Sequence, residues 1–341
     1  MVGCILGGGN NGMNGLHGFM IDNVVSFRLI TAEGKSLELS SSSTGEEKAL
    51  YYALCGGGLG LGVVTELTLK AFPISALNMQ EEGIWTRRLI FPPPAIGFAA
   101  ETFLKLQPPL PSMNTVLAFM RAPPGTPAPG APMIALTAMS YGPGQEAEKA
   151  MALLFDPEII GKAINPATVY TPLPLSSAAF EPLNVHGDFK DGSSSFLKTL
   201  NAETITAGFR QWLEFTDKYP DGKRTLLVIA GFNTKKLAEY GEIPEGKAKF
   251  CEIRDRNFFA STWGWCTTPE TATAMWSFQN EFNALCRKND TAIPRTFANN
   301  LTPETKLEEL HSDEKIAELK RVKKTWDPEG LFWSLYGEKS S

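Results

Sequence analysis

The chain has 341 residues, is 43% hydrophobic and carries a net charge of −5. That length accommodates two domains, or one large one with a sizeable core. The acidic balance, with Lys320-Arg321-Val322-Lys323-Lys324 as its dense basic run, argues against nucleic acid as a partner, because phosphate contacts need clustered Lys and Arg. No apolar run reaches the ~18 residues of a membrane span, so no membrane partner is expected. Met1 to Leu6 has no basic start of the signal-peptide kind, which leaves the compartment unassigned and the cytoplasm as the default. The five cysteines are odd in number and form no CxxC pair, so neither a metal site nor a disulfide framework is expected.

Taken in order, residues 1–23 read as loop with short extended pieces. Val24 to Thr31 reads as a strand, Ala32-Glu33-Gly34-Lys35 as a turn, and Ser36 to Leu39 as the returning strand. Glu46 to Leu54 reads as a short helix stopped by a glycine cluster. Val63 to Phe72 is the clearest strand, ended by Pro73. Proline punctuation then sets in. Ile84 to Phe91 reads as extended and Ala95 to Leu106 as helical. Asn114 to Arg121 and Met133 to Tyr141 read as a hairpin, and Gln145 to Phe155 as a helix. Residues 157–185 have weak periodicity. Further helices are expected over 202–219, 234–240 and 269–288, the last opened by Thr268-Pro269-Glu270. Further strands are expected over 225–230, 248–254 and 258–266, and a final helix over 313–326, capped by Ser312.

The sum is an α+β chain in three parts. Residues 1–75 form a small β-rich piece, 76–290 a mainly antiparallel sheet covered by helices, and 291–341 a closing segment. Residues 1–73 hold 14 of the 31 glycines, in two clusters. One is Gly7-Gly8-Gly9-Asn10-Asn11-Gly12. The other is Gly56-Gly57-Gly58-Leu59-Gly60-Leu61-Gly62. Glycine admits positive φ and close approach to the backbone, so two such loops beside apolar strands suit tight turns or a cofactor cradle. Gly7-x-Gly9-x-x-Gly12 matches the dinucleotide fingerprint in letters only, because the residues after it lack the helical period that motif requires.

The ordered series says more. Gly3 to Gly12, then Gly18-Phe19-Met20-Ile21-Asp22-Asn23-Val24, then Gly56 to Thr65 resembles the FAD-binding domain of the vanillyl-alcohol oxidase (PCMH) superfamily, and most closely the berberine bridge enzyme-like FAD-linked oxidases. Phe297-Ala298-Asn299 looks like that family's Tyr-x-Asn segment, and Trp326-Asp327-Pro328-Glu329-Gly330-Leu331-Phe332 like its closing turn. The resemblance implies a partial PCMH-type domain over 1–75, to which 291–341 returns. It implies FAD contacts from Gly7, Gly8, Gly9, Gly12, Asp22, Asn23 and Val24, from Gly57, Gly58, Gly62, Val63 and Val64, and from Asn299. Cys55 stands where the family often has Arg, and Gly60 where it often has Asn. The family's N-terminal subdomain, with its pyrophosphate clamp and flavin-linking His, has no counterpart in these residues, so half of the flavin site is expected in another piece.

Flavin oxidation needs a base near the carbon that loses hydride. Candidates are His186 in a loop, Arg254, Asp255 and Arg256 at a strand end, and Tyr336. The bland alternatives are a surface ion-pair cluster for the charged trio and simple packing for Tyr336. Three functions remain open at this point. One is an FAD-linked oxidoreductase acting on a small organic, secondary-metabolite substrate of fungal type. Another is a cofactor-free cyclase or isomerase on the same fold. The last is a non-catalytic partner whose exposed strand edges are covered by a second copy or a complementary N-terminal chain.

Overall fold

The computed structural model describes residues 1–178, 181, 184–302 and 304–336. Residues 179, 180, 182 and 183 of the weakly periodic 157–185 stretch lie outside that set. The chain divides into two units. The first comprises Met1–Phe72, Thr234–Asp255 and Arg295–Ser341, and the second Pro73–Asn233 and Arg256–Pro294. The return of Thr234–Asp255 to the first unit has no signal in the sequence.

The first unit is built on an antiparallel sheet of β1 (Val24–Ile30), β2 (Ser36–Ser40) and β3 (Val63–Leu69), in the order β2-β1-β3. Period-2 alternation turns Phe27 and Leu29 inward from β1 and Leu39 from β2. The Gly45–Leu54 helix carries Leu50, Tyr51 and Leu54 into this core, and the Tyr51 hydroxyl donates to the Val24 carbonyl at 3.1 Å. The front of the chain is more helical than expected. Val2–Leu6 and Asn14–His17 are short α-helices, and Met20–Asn23 is one 3₁₀ turn.

The second unit holds β4 (Gly83–Phe91), β5 (Met113–Arg121), β6 (Pro132–Ser140), β7 (Ala167–Pro172), β8 (Phe189–Leu197), β9 (Leu226–Phe232) and β10 (Phe258–Cys266). They form one antiparallel sheet in the order β7-β4-β6-β5-β9-β10-β8. One face packs under the Ile96–Lys105, Ala202–Lys218 and Pro269–Lys288 helices, as Leu89, Leu117, Phe119, Leu136 and Ile229 meet Phe103, Phe209, Trp212, Met275 and Phe282 in one apolar core. Both long helices start as their sequences direct. The Asn201 side chain accepts from Thr204 N–H at 2.8 Å, and the Thr268 hydroxyl accepts from Thr271 N–H at 3.3 Å.

The structure corrects the expected strand over 248–254. Pro244–Ala248 is a short helix with proline in its first turn, and the chain after it joins no sheet. It also adds β7 and β8. β8 reads Phe-Lys-Asp-Gly-Ser-Ser-Ser-Phe-Leu, with no β-branched residue to announce it.

Phe119 is fully buried, with its ring centroid 5.0 Å from that of Phe209 and 6.3 Å from that of Trp212. Phe119→Ala leaves a cavity where a strand meets a helix, and is expected to cost about 3–5 kcal/mol. Urea unfolding followed by far-UV circular dichroism measures it, and an unchanged midpoint would contradict this account of the core.

Candidate functional site

Both glycine clusters lie in the first unit, and the 249–254 segment runs between them. Lys249 is 2% exposed. Its Nζ donates to the Ile21 carbonyl at 2.9 Å and lies 3.4 Å from the Glu245 carboxylate. Phe250 N–H donates to the Cys55 carbonyl at 2.9 Å. Arg254 clamps Asp22 with both ends of its guanidinium. Nη1 donates to Oδ2 at 2.8 Å and Nη2 to Oδ1 at 2.6 Å, while Asp22 Oδ2 also accepts from Phe19 N–H at 2.9 Å. Both partners are buried, so the bidentate pair is charge-assisted and shielded from salt. Lys249, Phe250 and Arg254 of one segment thus hold the turn after the first cluster and the start of the second.

The second cluster is spent on close packing. Gly56 sits at φ +111°, and a Cβ there would overlap the Phe250 carbonyl. Gly57 and Gly58 lie against Leu319 and against Leu54 and Leu6, and their amides donate to the Ala53 and Leu6 carbonyls at 3.0 and 3.4 Å. Val63 and Val64 pair with Ile30 and Leu29 in β3, and Gly62 lies under the Ile30 carbonyl. The C-terminal turn locks onto the same cluster through buried Lys323, whose Nζ donates to the Gly60 carbonyl at 2.8 Å, to the Phe332 carbonyl at 2.6 Å and to the Asp327 carboxylate. Cys55 is fully buried, and burial pushes its thiol up to about 12, so it is an inert packing thiol at neutral pH.

The first cluster is arranged differently. Its outgoing strand is tied by Gly8 and Gly9 carbonyls that accept from Ile21 and Met20 N–H, and Gly8 and Gly9 have φ of +120° and +76°. Gly12 follows in the same loop, where Asn11 and Asn14 side chains bridge the backbone. The Gly9 and Asn10 amides donate to no group among the described residues. Asn23 is buried. Its Nδ2 donates to the His17 and Phe19 carbonyls, while Oδ1 finds no donor among the described residues. Asn299 closes the loop from the far end of the chain. Its Nδ2 donates to the Gly3 and Cys4 carbonyls at 3.1 and 3.2 Å, and its Oδ1 lies where a Cβ on Gly7 would be. Two adjacent uncommitted amides beside positive-φ glycines, with a buried unpaired carbonyl oxygen nearby in sequence, suit a polar, anionic cofactor. Among the described residues no cluster of three or more His, Cys, Asp or Glu could hold a metal.

The sequence-expected catalytic residues are divided between the two units. Arg254 serves Asp22. Asp255 ends the first unit, and Arg256 begins the second, 3.6 Å from Asp290. His186 is exposed in the loop before β8. Tyr336 is buried in the first unit, its hydroxyl 3.1 Å from His311 Nε2, and burial raises its pKa. His311, which sequence reading passed over, is itself buried against the edge of the Phe250 ring. Burial, reinforced by Lys315 and Arg295, lowers its pKa to about 3. Two residues central to the site, Lys249 and His311, carry no motif. Only the rarity of a buried Lys or His marks them, and that is invisible before folding.

The comparisons follow this geometry. No protein-family model matches the chain. It is 25% identical over 97% of its length to the FAD-linked oxidoreductase OXR1 of Pyricularia oryzae, and 23% identical over 97% to the FAD-linked oxidoreductase hasG of Aspergillus fumigatus. It spans 64% and 69% of those two proteins, about two thirds of their length. Among solved structures it superposes on Physcomitrella patens BBE-like 1 with a TM-score of 0.75, at 16% identity, covering 97% of this chain and 68% of that one. The Acremonium strictum glucooligosaccharide oxidase gives 0.74 at 16%, covering 99% and 70%. The 6-hydroxy-D-nicotine oxidase of Arthrobacter nicotinovorans gives 0.74 at 18%, covering 98% and 70%.

Two predictions test the site. Arg254→Met leaves the Asp22 carboxylate buried without its partner and is expected to cost about 3–5 kcal/mol, most of it recovered by the Asp22→Asn, Arg254→Met double variant. Chemical denaturation of the parent and the two variants measures this, and a double variant no more stable than the single would refute the pairing account. His311 has a folded pKa below its unfolded value of 6.5, so its contribution is whole above pH 6.5 and is lost as the unfolded chain takes up a proton between pH 6.5 and about 3. His311→Gln is expected to flatten the fall of stability across that window by up to ~1.4 kcal/mol per pH unit, read from urea midpoints at a series of pH values.

The chain is thus similar across nearly its whole length to fungal FAD-linked oxidoreductases, and its fold is that of the berberine bridge enzyme-like flavoproteins.

Proposed function

We propose that this chain contributes to an FAD-linked oxidoreductase that acts on a small organic substrate, of the secondary-metabolite kind. The observation that carries this reading is the first glycine cluster, whose Gly9 and Asn10 amides and buried Asn23 oxygen have no hydrogen-bond partner among the described residues. The named relatives, which are FAD-linked oxidoreductases, support FAD as the cofactor. When bound, the flavin accepts a hydride equivalent from the substrate carbon.

This chain's own residues divide that work. Gly7, Gly8, Gly9 and Gly12 bring the backbone close to the cofactor, and the Gly9 and Asn10 amides answer its polar groups. Asn23 offers an acceptor, and Asn299 fixes the incoming helix by its carbonyls. Asp22 and Val24 hold the outgoing turn and strand. Arg254 acts through Asp22 as a positioning residue, and Gly57, Gly58, Gly62, Val63 and Val64 support the loop from behind. No proton-transfer role is assigned to His186, Asp255, Arg256 or Tyr336.

The purified protein is expected to carry, or to take up on addition of FAD, the visible absorbance of an oxidised flavin. Asn23→Leu is expected to weaken FAD binding at least tenfold, about 1.4 kcal/mol, with little change in fold by circular dichroism. A colourless protein that takes up no FAD would sink the reading.

A further inference from the structure

The sheet of the second unit ends in two edge strands, β7 and β8, and only one of them is guarded by charge. β8 carries Lys190 and Asp191, and at the edges of the first unit's sheet β2 carries Glu38 and β3 carries Glu66. Charge on an edge strand discourages pairing with another chain. β7 reads Ala-Thr-Val-Tyr-Thr-Pro and has none. It pairs with β4 along one side, and among the described residues no strand pairs along the other. The backbone amides and carbonyls of that outer side are a template for a further strand.

The side chains around this edge are apolar and exposed. Val169 is 47% exposed, and Ile164 and Leu175, before and after the strand, are 66% and 58% exposed. Thr168 and Tyr170 project from the face opposite Val169, where Thr168 Oγ1 accepts from Arg87 Nη1 at 3.1 Å. The two ends of the edge differ in charge. Exposed Arg88 stands on β4 opposite Ala167, and exposed Glu81 and Glu82 precede Gly83, which stands opposite Pro172. β7 is therefore a neutral, partly apolar strip with a cation near its start and two acids near its end.

We infer that β7 pairs with β7 of a second copy of this chain, antiparallel and centred on Val169. A two-fold axis through Val169, perpendicular to the sheet, sets Val169 opposite the partner's Val169, Thr168 opposite the partner's Tyr170 and Ala167 opposite the partner's Thr171. That operation keeps like faces together, so the helices of both copies lie on one side of the joined sheet. It sets no like charges side by side. It also turns the Arg88 end of each copy toward the glutamate end of the other, across three strand spacings or roughly 14 Å. Pro172, which lacks a backbone donor, falls outside the paired residues. A contact limited to residues 167–171 is smaller than a standard interface, so the dimer forms reversibly. The surface lies wholly within the second unit and is independent of the flavin reading.

Sedimentation velocity of the full chain, from about 1 to about 500 µM, tests it. A reversible monomer–dimer equilibrium with a Kd of roughly 10–100 µM is expected. Val169→Lys places like charges opposite each other at the axis and is expected to raise the Kd at least tenfold, and Val169→Glu is expected to do the same. Both replace an exposed side chain, so their circular dichroism is expected to match that of the parent. An equimolar mixture of the two charge variants is expected to dimerise again, because opposite charges then meet across the axis. A monomer over the whole concentration range would overturn the inference, as would a dimer that survives both variants, or a mixture that stays monomeric.

Discussion

The first unit depends on one buried ion pair. Asp22 and Arg254 are separated by 232 residues of chain, yet they meet in a bidentate geometry with almost no exposure to solvent. Burial makes each charge costly alone and strongly attractive together. The pair therefore acts as a specificity device as well as a tie, since an alternative arrangement that separated the two would leave two uncompensated charges in the interior. Lys249 adds to the same constraint, because its buried ammonium joins the Ile21 carbonyl to the Glu245 carboxylate.

Around this tie the two glycine clusters divide the labour. In the second, a missing Cβ lets another backbone or a side chain approach, as Phe250 does at Gly56 and Leu319 at Gly57. In the first, positive φ turns the chain sharply and leaves donors unspent. Similar composition thus yields a packing element in one place and a receptive surface in the other. The difference lies in what surrounds each loop, and not in the loop's own letters.

Much of the fold was legible where local chemistry decides it. Val63–Leu69 follows from alternation and β-branching, and Pro269–Lys288 from its Thr-Pro-Glu start. The glycine series and Asn299 pointed to a flavin site, and the structure packs Asn299 against Gly7 from the far end of the chain. What stayed hidden depends on distant partners. Residues 249–254 were expected to be a strand, but Lys249, Phe250 and Arg254 tie to Ile21, Cys55 and Asp22 in place of a sheet ladder. β8 is rich in Ser and Gly, and becomes a strand because β10 offers it a full edge. Arg254-Asp255-Arg256 looked like one charged cluster, yet its outer members belong to different units.

The interleaving of the units has a consequence for biosynthesis. The first unit closes only when Thr234–Asp255 and Arg295 onward have been made, and the second waits for β10, which stands between β9 and β8. At ~5–20 residues per second, Asp22 leaves the ribosome roughly ten to fifty seconds before Arg254 does. Throughout that interval the nascent chain exposes strand edges and a carboxylate destined for the interior. Neither unit can mature vectorially, so the polypeptide must remain soluble as an open intermediate almost until translation ends. The serine-rich β8 and the charged Glu66 on β3 suit that wait, since they keep exposed strands from finding the wrong neighbours.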